Sequence, residues 1–528
     1  MGTNINIANI RTLAITEAFG NPRNVAFHLN THNPSRSVYS LRPAHTLKAP
    51  AFPELSATRQ PGPTNANWTD VCLHYSYLPL MGRNPKESAY RYATYNFTPA
   101  LVRQLEFMDP HFLENLKRAD EWSATDQNRH GGAIASGFDH AILPLGIGSD
   151  PEIQITWGIE HFKHTFNRSP EGFWAPEAAV SNEVMGLLAK HGIKFTILSP
   201  WQVGTINGSA PNWTGEGCPV MDFGIPYKLT IPDGKDMYAF IYNRYLSQEL
   251  AFTDFLNSGD GHALAGKLND HLRCNSTVTC ASDTETFGLH KKGGVATLLR
   301  YLTYAREFNH RPVNFAFLLD QALSSGTEIP TLGIKSPSSW SCEHGVERWK
   351  SDCRCPDNTD NPWRADFRQA LNYLAQRSDK IFIKAAEQFI PDVEGAKLRY
   401  IDVLLGKKTF DDFITEETGK SKRPSGKSLS DLSAVFDGLV PRQGMFVSCG
   451  WFFHGMGLET GICLGQAADL INRIGRLAPE LEADFLCILG GIYNSPGFRE
   501  RGQCETAADQ YDLTKREQAY WAEKISAL

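Results

Sequence analysis

The stretch from Glu171 to Pro200, EGFWAPEAAVSNEVMGLLAKHGIKFTILSP, constrains the fold more than any other part of the chain. It reads as one complete β-α-β unit. Gly172 to Ala175 is a short strand and Ser181 is a helix N-cap. Val184, Leu187 and Leu188 recur at helical spacing, and Gly192 stops the helix before the strand IKFTILSP. MYAFIYNR (237–244) and STVTCAS (276–282) are further strands. Helical stretches such as VATLLRYLTYAREF (295–308) alternate with them. Strands alternating with helices predict an α/β fold, a parallel sheet or a barrel.

Around this centre the chain divides into three parts. Residues 41–68, rich in Pro, Ala and Thr and without a period, read as a linker, so that 1–69 is expected to be an N-terminal arm. Regular structure is expected to begin with DVCLHYSYLPL (70–80), whose apolar alternation suits a strand. TPALVRQLEFMDPHFLENLKRADEW (98–122) follows as helices broken near Pro110. The barrel or sheet is expected over 70–335. Residues 336–528 are expected to be mainly helical and to contribute to an active-site cleft, because RADFRQALNYLAQRSDKIFIKAAEQFI and GICLGQAADLINRIGRL are amphipathic helices with few strands between them. TGKSKRPSGKSLS (418–430) is a solvated basic loop. It lacks the G-x-x-x-x-G-K-[ST] spacing of a phosphate loop. There are no internal repeats.

Composition narrows the function classes. The 528 residues, 41% hydrophobic and 21% charged, suffice for two or more domains. A net charge of -6 without a basic block argues against nucleic acid or a membrane surface as partner. No apolar run approaches the roughly 20 residues that span a bilayer. The N-terminus has no uninterrupted apolar h-region. MGTNIN lacks the Ser or Thr of a myristoylation signal. The 11 scattered cysteines are expected to be mostly reduced thiols in a cytoplasm.

Two acidic positions stand out. Glu177 lies where an apolar strand turns into a helix, which in a parallel barrel is the catalytic rim. CASDTETFG (280–288) repeats that context with Asp283 and Glu285. Two apart on an extended chain, they point the same way. Two carboxylates on strand ends suit glycosyl transfer, one attacking the anomeric carbon and one protonating the leaving oxygen. A third beside the acid would raise its pKa by repulsion. Helix caps and salt bridges are the plainer reading of the same acids. SWSCEHGVERWKSDCRC offers Cys342, His344, Cys353 and Cys355, whose C-x-H…C-x-C pattern is a weak candidate for a zinc site. Free thiols, or a disulfide from Cys342 to Cys353 or Cys355, explain it as well.

GFWAPEAA with its helix and HGIKFTILSP resembles the nucleophile region of glycoside hydrolase family 57, and SDTETFG resembles that family's acid/base region. GGAIASGFDHAILPL (131–145), SSWSCEHGVERWKSDCRC (338–355) and SCGWFF (448–453) resemble a bacterial branch carrying an additional C-terminal domain of unknown function. The likeness runs from about residue 70 to 460. It implies a distorted (β/α)7 barrel followed by a helical region. It further implies a retaining mechanism on α-glucans without a cofactor, with an oligo- or polysaccharide as partner. Glu177 would then be nucleophile and Asp283 general acid/base. His74, His140, Glu285 and His344 would be substrate-site residues, and Trp174 and Trp340 stacking faces, although both tryptophans suit a core equally well. For His344 sugar contact is preferred over zinc.

The family's first motif, a His-x-His strand end, is matched to VCLHYSYLPLMGRNP (71–85). There His74 stands for the first His, Ser76 replaces the second and Leu78 replaces the following Gln. HLNTHNP (28–34) offers His28 and His32 as a superficial substitute. Loss of the second His predicts lowered or redirected activity. It keeps two alternatives in play: a catalytically impaired carbohydrate-binding protein, and a metal-dependent, deacetylase-like hydrolase on a related barrel.

Overall fold

The computed structural model describes residues 22–32, 68–211, 222–231, 235–272, 277–355, 358–419, 423–495 and 504–526. Seven parallel strands build its centre: β1 (Arg23–Thr31), β2 (Thr94–Phe97), β3 (Ala135–Ser136), β4 (Phe173–Trp174), β5 (Phe195–Leu198), β6 (Tyr238–Ile241) and β7 (Thr277–Asp283). β1 pairs with β7 on one side (Asn30↔Asp283) and with β2 on the other (Asn30↔Asn96). β3 joins β2 through the Tyr95↔Ala133 bridge, β4 pairs with β3, β5 joins β4 through Gly172↔Phe195, and β6 pairs with β5. The ring closes where Asn243 N–H donates to the Thr279 carbonyl at 2.9 Å. This is the expected (β/α)7 barrel, distorted because β3 and β4 are only two residues long.

The period-2 pattern explains which side chains reach the centre. Ala26, Ala281, Ile197, Phe240 and Trp174 share one inner cluster. Their neighbours in sequence, among them Val25, Phe27, Cys280, Leu198 and Ala239, pack outward against the helices. Val313 and Phe315 to Leu319, at the start of a helix (Phe315–Ser324), join the inner cluster. They attach at the N-terminal ends of the strands, through Val313 N–H to Val25 O (2.9 Å) and Phe315 N–H to Thr94 Oγ1 (2.8 Å). That end is therefore a packed floor, and the strand C-termini form the mouth.

The crossover helices follow the sequence closely. Ser181 Oγ accepts from Val184 N–H to start Asn182–Lys190, and Gly192 supplies the left-handed turn (φ 81) that ends it. Pro99–Met108 and Pro110–Asp126 are the helices broken at Pro110, with Asp109 capping the second. Asp150–Phe166 crosses so close to β3 that a Cβ on Gly158 would lie 2.0 Å from Ser136 O.

Residues 70–80 do not form the expected strand. They continue Trp68–Cys72 as one helical run through a π-helical turn (Leu73–Tyr77) into Leu78–Met81. The buried positions Cys72, Leu73, Ser76, Tyr77 and Leu80 show the reason. They recur three and four apart, and over so few residues helical and alternating patterns overlap. The strand role belongs to RNVAFHLNT, inside the stretch expected to be an arm. The linker reading of 41–68 falls almost wholly outside the described residues.

Beyond Trp363 the described chain is helical. Trp363–Ala386, Gly426–Asp437, Leu458–Ile474 and Leu481–Leu489 enclose a second apolar core, which also takes in Ile153 and Trp157 of the barrel helix. Gly426–Asp437 begins within the stretch read as a basic loop. The junction is polar at its centre. Arg442 Nη1 meets Asp150 Oδ2 at 2.9 Å, and Gln443 Nε2 donates to Asp150 Oδ1 at 2.8 Å, all buried.

Candidate active site

Glu177 sits in a turn that only tertiary contacts can hold. After β4, Pro176 turns the chain, and Glu177 (φ 56) and Ala178 (φ 45) both adopt left-handed backbone. For residues with a Cβ this conformation costs about 1–2 kcal/mol each. The turn is clamped by segment 338–341. Val180 and Ser338 exchange two backbone bonds of 2.9 Å, and Trp340 N–H donates to Glu177 O at 3.0 Å. Gln202 Nε2 donates to Ala178 O at 2.7 Å. The same segment supplies the partners of the carboxylate. Trp340 Nε1 (3.0 Å) and Ser341 Oγ (2.7 Å) donate to Oε2, and Ser448 Oγ, from the helical region, lies 3.5 Å from Oε1.

Asp283 ends β7, directly beside Asn30 of β1. Asn30 Nδ2 donates to Asp283 Oδ1 at 2.8 Å, and Asn96 Nδ2 of β2 donates to Asn30 Oδ1 at 3.2 Å. A polar ladder thus crosses three neighbouring strands at one level of the mouth. Asp283 lies near enough for its charge to act on Glu177, Glu285 and Tyr242. Asp283 reaches solvent with part of its surface, while protein surrounds its carboxylate.

The two carboxylates differ in what surrounds them. Burial raises both above the ordinary carboxylate range. On Glu177 the charge of Asp283 adds to that, while Ser341, Trp340 and the nearby Arg348 oppose it. On Asp283 only the Asn30 amide opposes it. Glu177 thus has several donors around it and Asp283 one. Burial and then the charge of Asp283 push Glu285 up to about 8, and Tyr77 OH donates to its Oε1.

The histidines redistribute. His74 is exposed on the helical run, and Ser76 is buried with Oγ donating to Thr284 O at 2.7 Å. His28 and Asn30 lie on β1 and His32 just beyond it, with Asn30 bonded to Asp283. The strand itself is legible in the alternating RNVAFHLNT. His140 is a buried site residue, with Nδ1 2.7 Å from Ser448 Oγ and its ring stacked on His32 at 3.8 Å. Burial pulls His140 down to about 3, and burial and then the charge of His140 hold His32 well below the usual histidine range. The Nε2 atoms of His32 and His140 and Nε1 of Trp174 are buried without a partner among the described residues. Trp174 is fully buried between His28 (4.4 Å) and Trp340 (4.9 Å), so its N–H rather than its face is offered to the hollow.

Among the described residues, two groups of side chains have the spacing to hold a metal ion. Ligand atoms of His32, His140 and Cys449 lie within 4.8 Å of one another at the mouth, and so do those of Cys342, His344, Cys353 and Cys355 beside it. His344 belongs to this second group, with Nδ1 facing Cys355 Sγ, rather than to the set around Glu177.

A family model described as glycosyl hydrolase family 57 matches residues 59–324, and one for a domain of unknown function matches residues 360–493. Among solved structures the chain is similar in fold to an exo-type maltose-forming amylase from Pyrococcus sp. ST04. The TM-score is 0.62 and the identity 15%, covering 95% of this chain and 85% of that one. It is also similar to a GH57-type branching enzyme from Pyrococcus horikoshii, with TM-score 0.55, 16% identity and coverage of 94% and 95%. No curated protein matches the chain.

Proposed function

The chain belongs to glycosyl hydrolase family 57, and on that premise we propose that it is a retaining hydrolase or glucanotransferase of α-linked glucans, with Glu177 as nucleophile and Asp283 as general acid/base. The observation that carries the reading is the pairing of two electrostatically coupled carboxylates at the barrel mouth, one rich in donors and one poor in them. The two neighbours of similar fold whose names speak of maltose formation and branching support α-glucan as the substrate class.

In this reading Glu177 attacks the anomeric carbon as an anion, held in place by Trp340 and Ser341. Asp283 gives its proton to the leaving glycosidic oxygen. A covalent glycosyl-enzyme forms, and Asp283, now a base, takes a proton from the incoming water or sugar hydroxyl. The Nε1–H of Trp174 and the Nε2 atoms of His32 and His140, which have no partner among the described residues, are suited to sugar hydroxyls, since buried polar groups without partners are costly until a ligand pairs them. Hydrolysis and transfer differ in what approaches from the acceptor side.

Maltooligosaccharides incubated with the full chain and followed by proton NMR test the proposal. Products are expected to appear first as the α-anomer, and turnover is expected to vanish in Glu177→Gln while a surface Glu control keeps it. First-formed β-anomer, or turnover surviving in Glu177→Gln, would overturn the assignment. Transfer products longer than the substrate would identify a glucanotransferase.

A further inference from the structure

We propose that Cys342, His344, Cys353 and Cys355 form a closed structural zinc site, and that this ion fixes the loop presenting Trp340 and Ser341 to Glu177. The four side chains come from two short loops of one segment, and the structure draws their ligand atoms together. Cys342 Sγ lies 3.9 Å from both Cys353 Sγ and Cys355 Sγ, and Cys355 Sγ lies 3.3 Å from His344 Nδ1. A tetrahedral zinc with Zn–S of about 2.3 Å and Zn–N of about 2.0 Å places sulfurs about 3.8 Å apart and sulfur and nitrogen about 3.5 Å apart. The observed edges match that tetrahedron. A disulfide needs sulfurs about 2.05 Å apart, and all four cysteine and histidine ligands would be left without their common geometry if one formed.

The surroundings fit an ion with three thiolates. The backbone N–H groups of Arg348, Glu343 and Cys355 lie close to the sulfurs of Cys342, Cys355 and Cys353. Such donors orient thiolate ligands and spread their charge. The Arg348 guanidinium lies close enough to feel all three thiols as well as Glu177, which balances the single net negative charge of a zinc with three thiolates and one neutral imidazole. Arg354, between Cys353 and Cys355, adopts left-handed backbone (φ 61). That turn brings two cysteines only two apart onto one centre, at a conformational cost that a bound ion would offset. Four protein ligands leave no open position, so the site is structural rather than catalytic.

The link to Glu177 is covalent and short. Ser341 is the residue before Cys342, Trp340 the one before that, and Arg348 Nη1 donates to Ser341 O at 2.9 Å. The second half of the proposal rests on Glu177 being the nucleophile. The first half does not.

Elemental analysis of the full chain, purified after growth with zinc and dialysed, tests the site without any activity measurement. About one zinc per chain is expected, lost in Cys353→Ser/Cys355→Ser and kept in His32→Ala. Cobalt exchanged into the wild-type protein should give the intense visible bands and near-ultraviolet charge transfer of a tetrahedral thiolate site. This readout stands even if the double variant fails to fold. Protein that retains no zinc, a cobalt spectrum without thiolate charge transfer, or zinc lost with His32→Ala instead would overturn the site. For the loop, removing the metal with a strong chelator should lower kcat at least tenfold and leave KM within about twofold, with re-added zinc restoring it. Unchanged kcat in demetallated protein would overturn the positioning role while leaving the site intact.

Discussion

Glu177 concentrates two costs in one residue, a charge in a cleft and a left-handed backbone. Replacing it therefore separates them. Glycine tolerates φ 56 and alanine does not, so Glu177→Gly should be more stable than Glu177→Ala by about 1–2 kcal/mol, read from urea unfolding of the two inactive proteins. Equal stabilities would mean that the turn relaxes when the carboxylate is gone. Glu285 makes a second case. Its carboxyl is raised to about 8 in the fold, by burial first and then by Asp283, against about 4.3 in an unfolded chain. Between those values the unfolded chain has released the proton and the folded one still holds it. Stability must then fall as pH rises through that window. Glu285→Gln, which mimics the protonated form, should remove this slope, so its stability relative to wild type should rise from pH 5 to pH 8. A constant difference between the two proteins over that range would count against the protonated carboxyl.

The decisive element is β1. It is the one strand that touches both the acid-bearing β7 and β2, and through Asn30 it sets the Asp283 environment. The amide donor favours the ionised carboxylate, so removing it should raise the Asp283 pKa. Asn30→Ala is expected to move the basic limb of the kcat/KM profile to higher pH. Asn96→Ala, one step removed, should move it less. A basic limb that stays in place in Asn30→Ala would argue that Asp283 is not the acid. The helical run Trp68–Met81 has a separate task, resting Ser76 and Tyr77 on the acid-bearing loop. Sequence read it as a strand because an eleven-residue stretch with five buried positions fits either period. The β4 unit was legible because Ser181, Gly192 and the spacing of Val184, Leu187 and Leu188 give mutually consistent local signals.

At the scale of the molecule, the helical region completes the site rather than standing apart from it. It brings Ser448 to Glu177 and His140, and its attachment runs through Asp150. Arg442, which is buried, would keep Asp379 but lose Asp150 in Asp150→Ala, and Gln443 would lose its acceptor, so that variant should lose about 1–3 kcal/mol. Glycan turnover should fall with it, because Ser448 would no longer be held. A thermal midpoint equal to wild type would show that the apolar contacts suffice. Sequence alone determined the alternation of strands and helices and the helical C-terminal third, and it offered Glu177 and Asp283 as the acids proposed here, because caps, periods and short motifs are written within a few residues of one another. It also supplied the residues of the thiol cluster, but not their meeting. Only the tertiary structure decided that residues 23–31 fill the centre of the barrel, that Trp340, Ser341 and Ser448 serve Glu177, and that His344 joins the cysteines. Those contacts join positions more than a hundred residues apart, or hang on the path of a loop, and packing of the whole chain is the physical force that selects them.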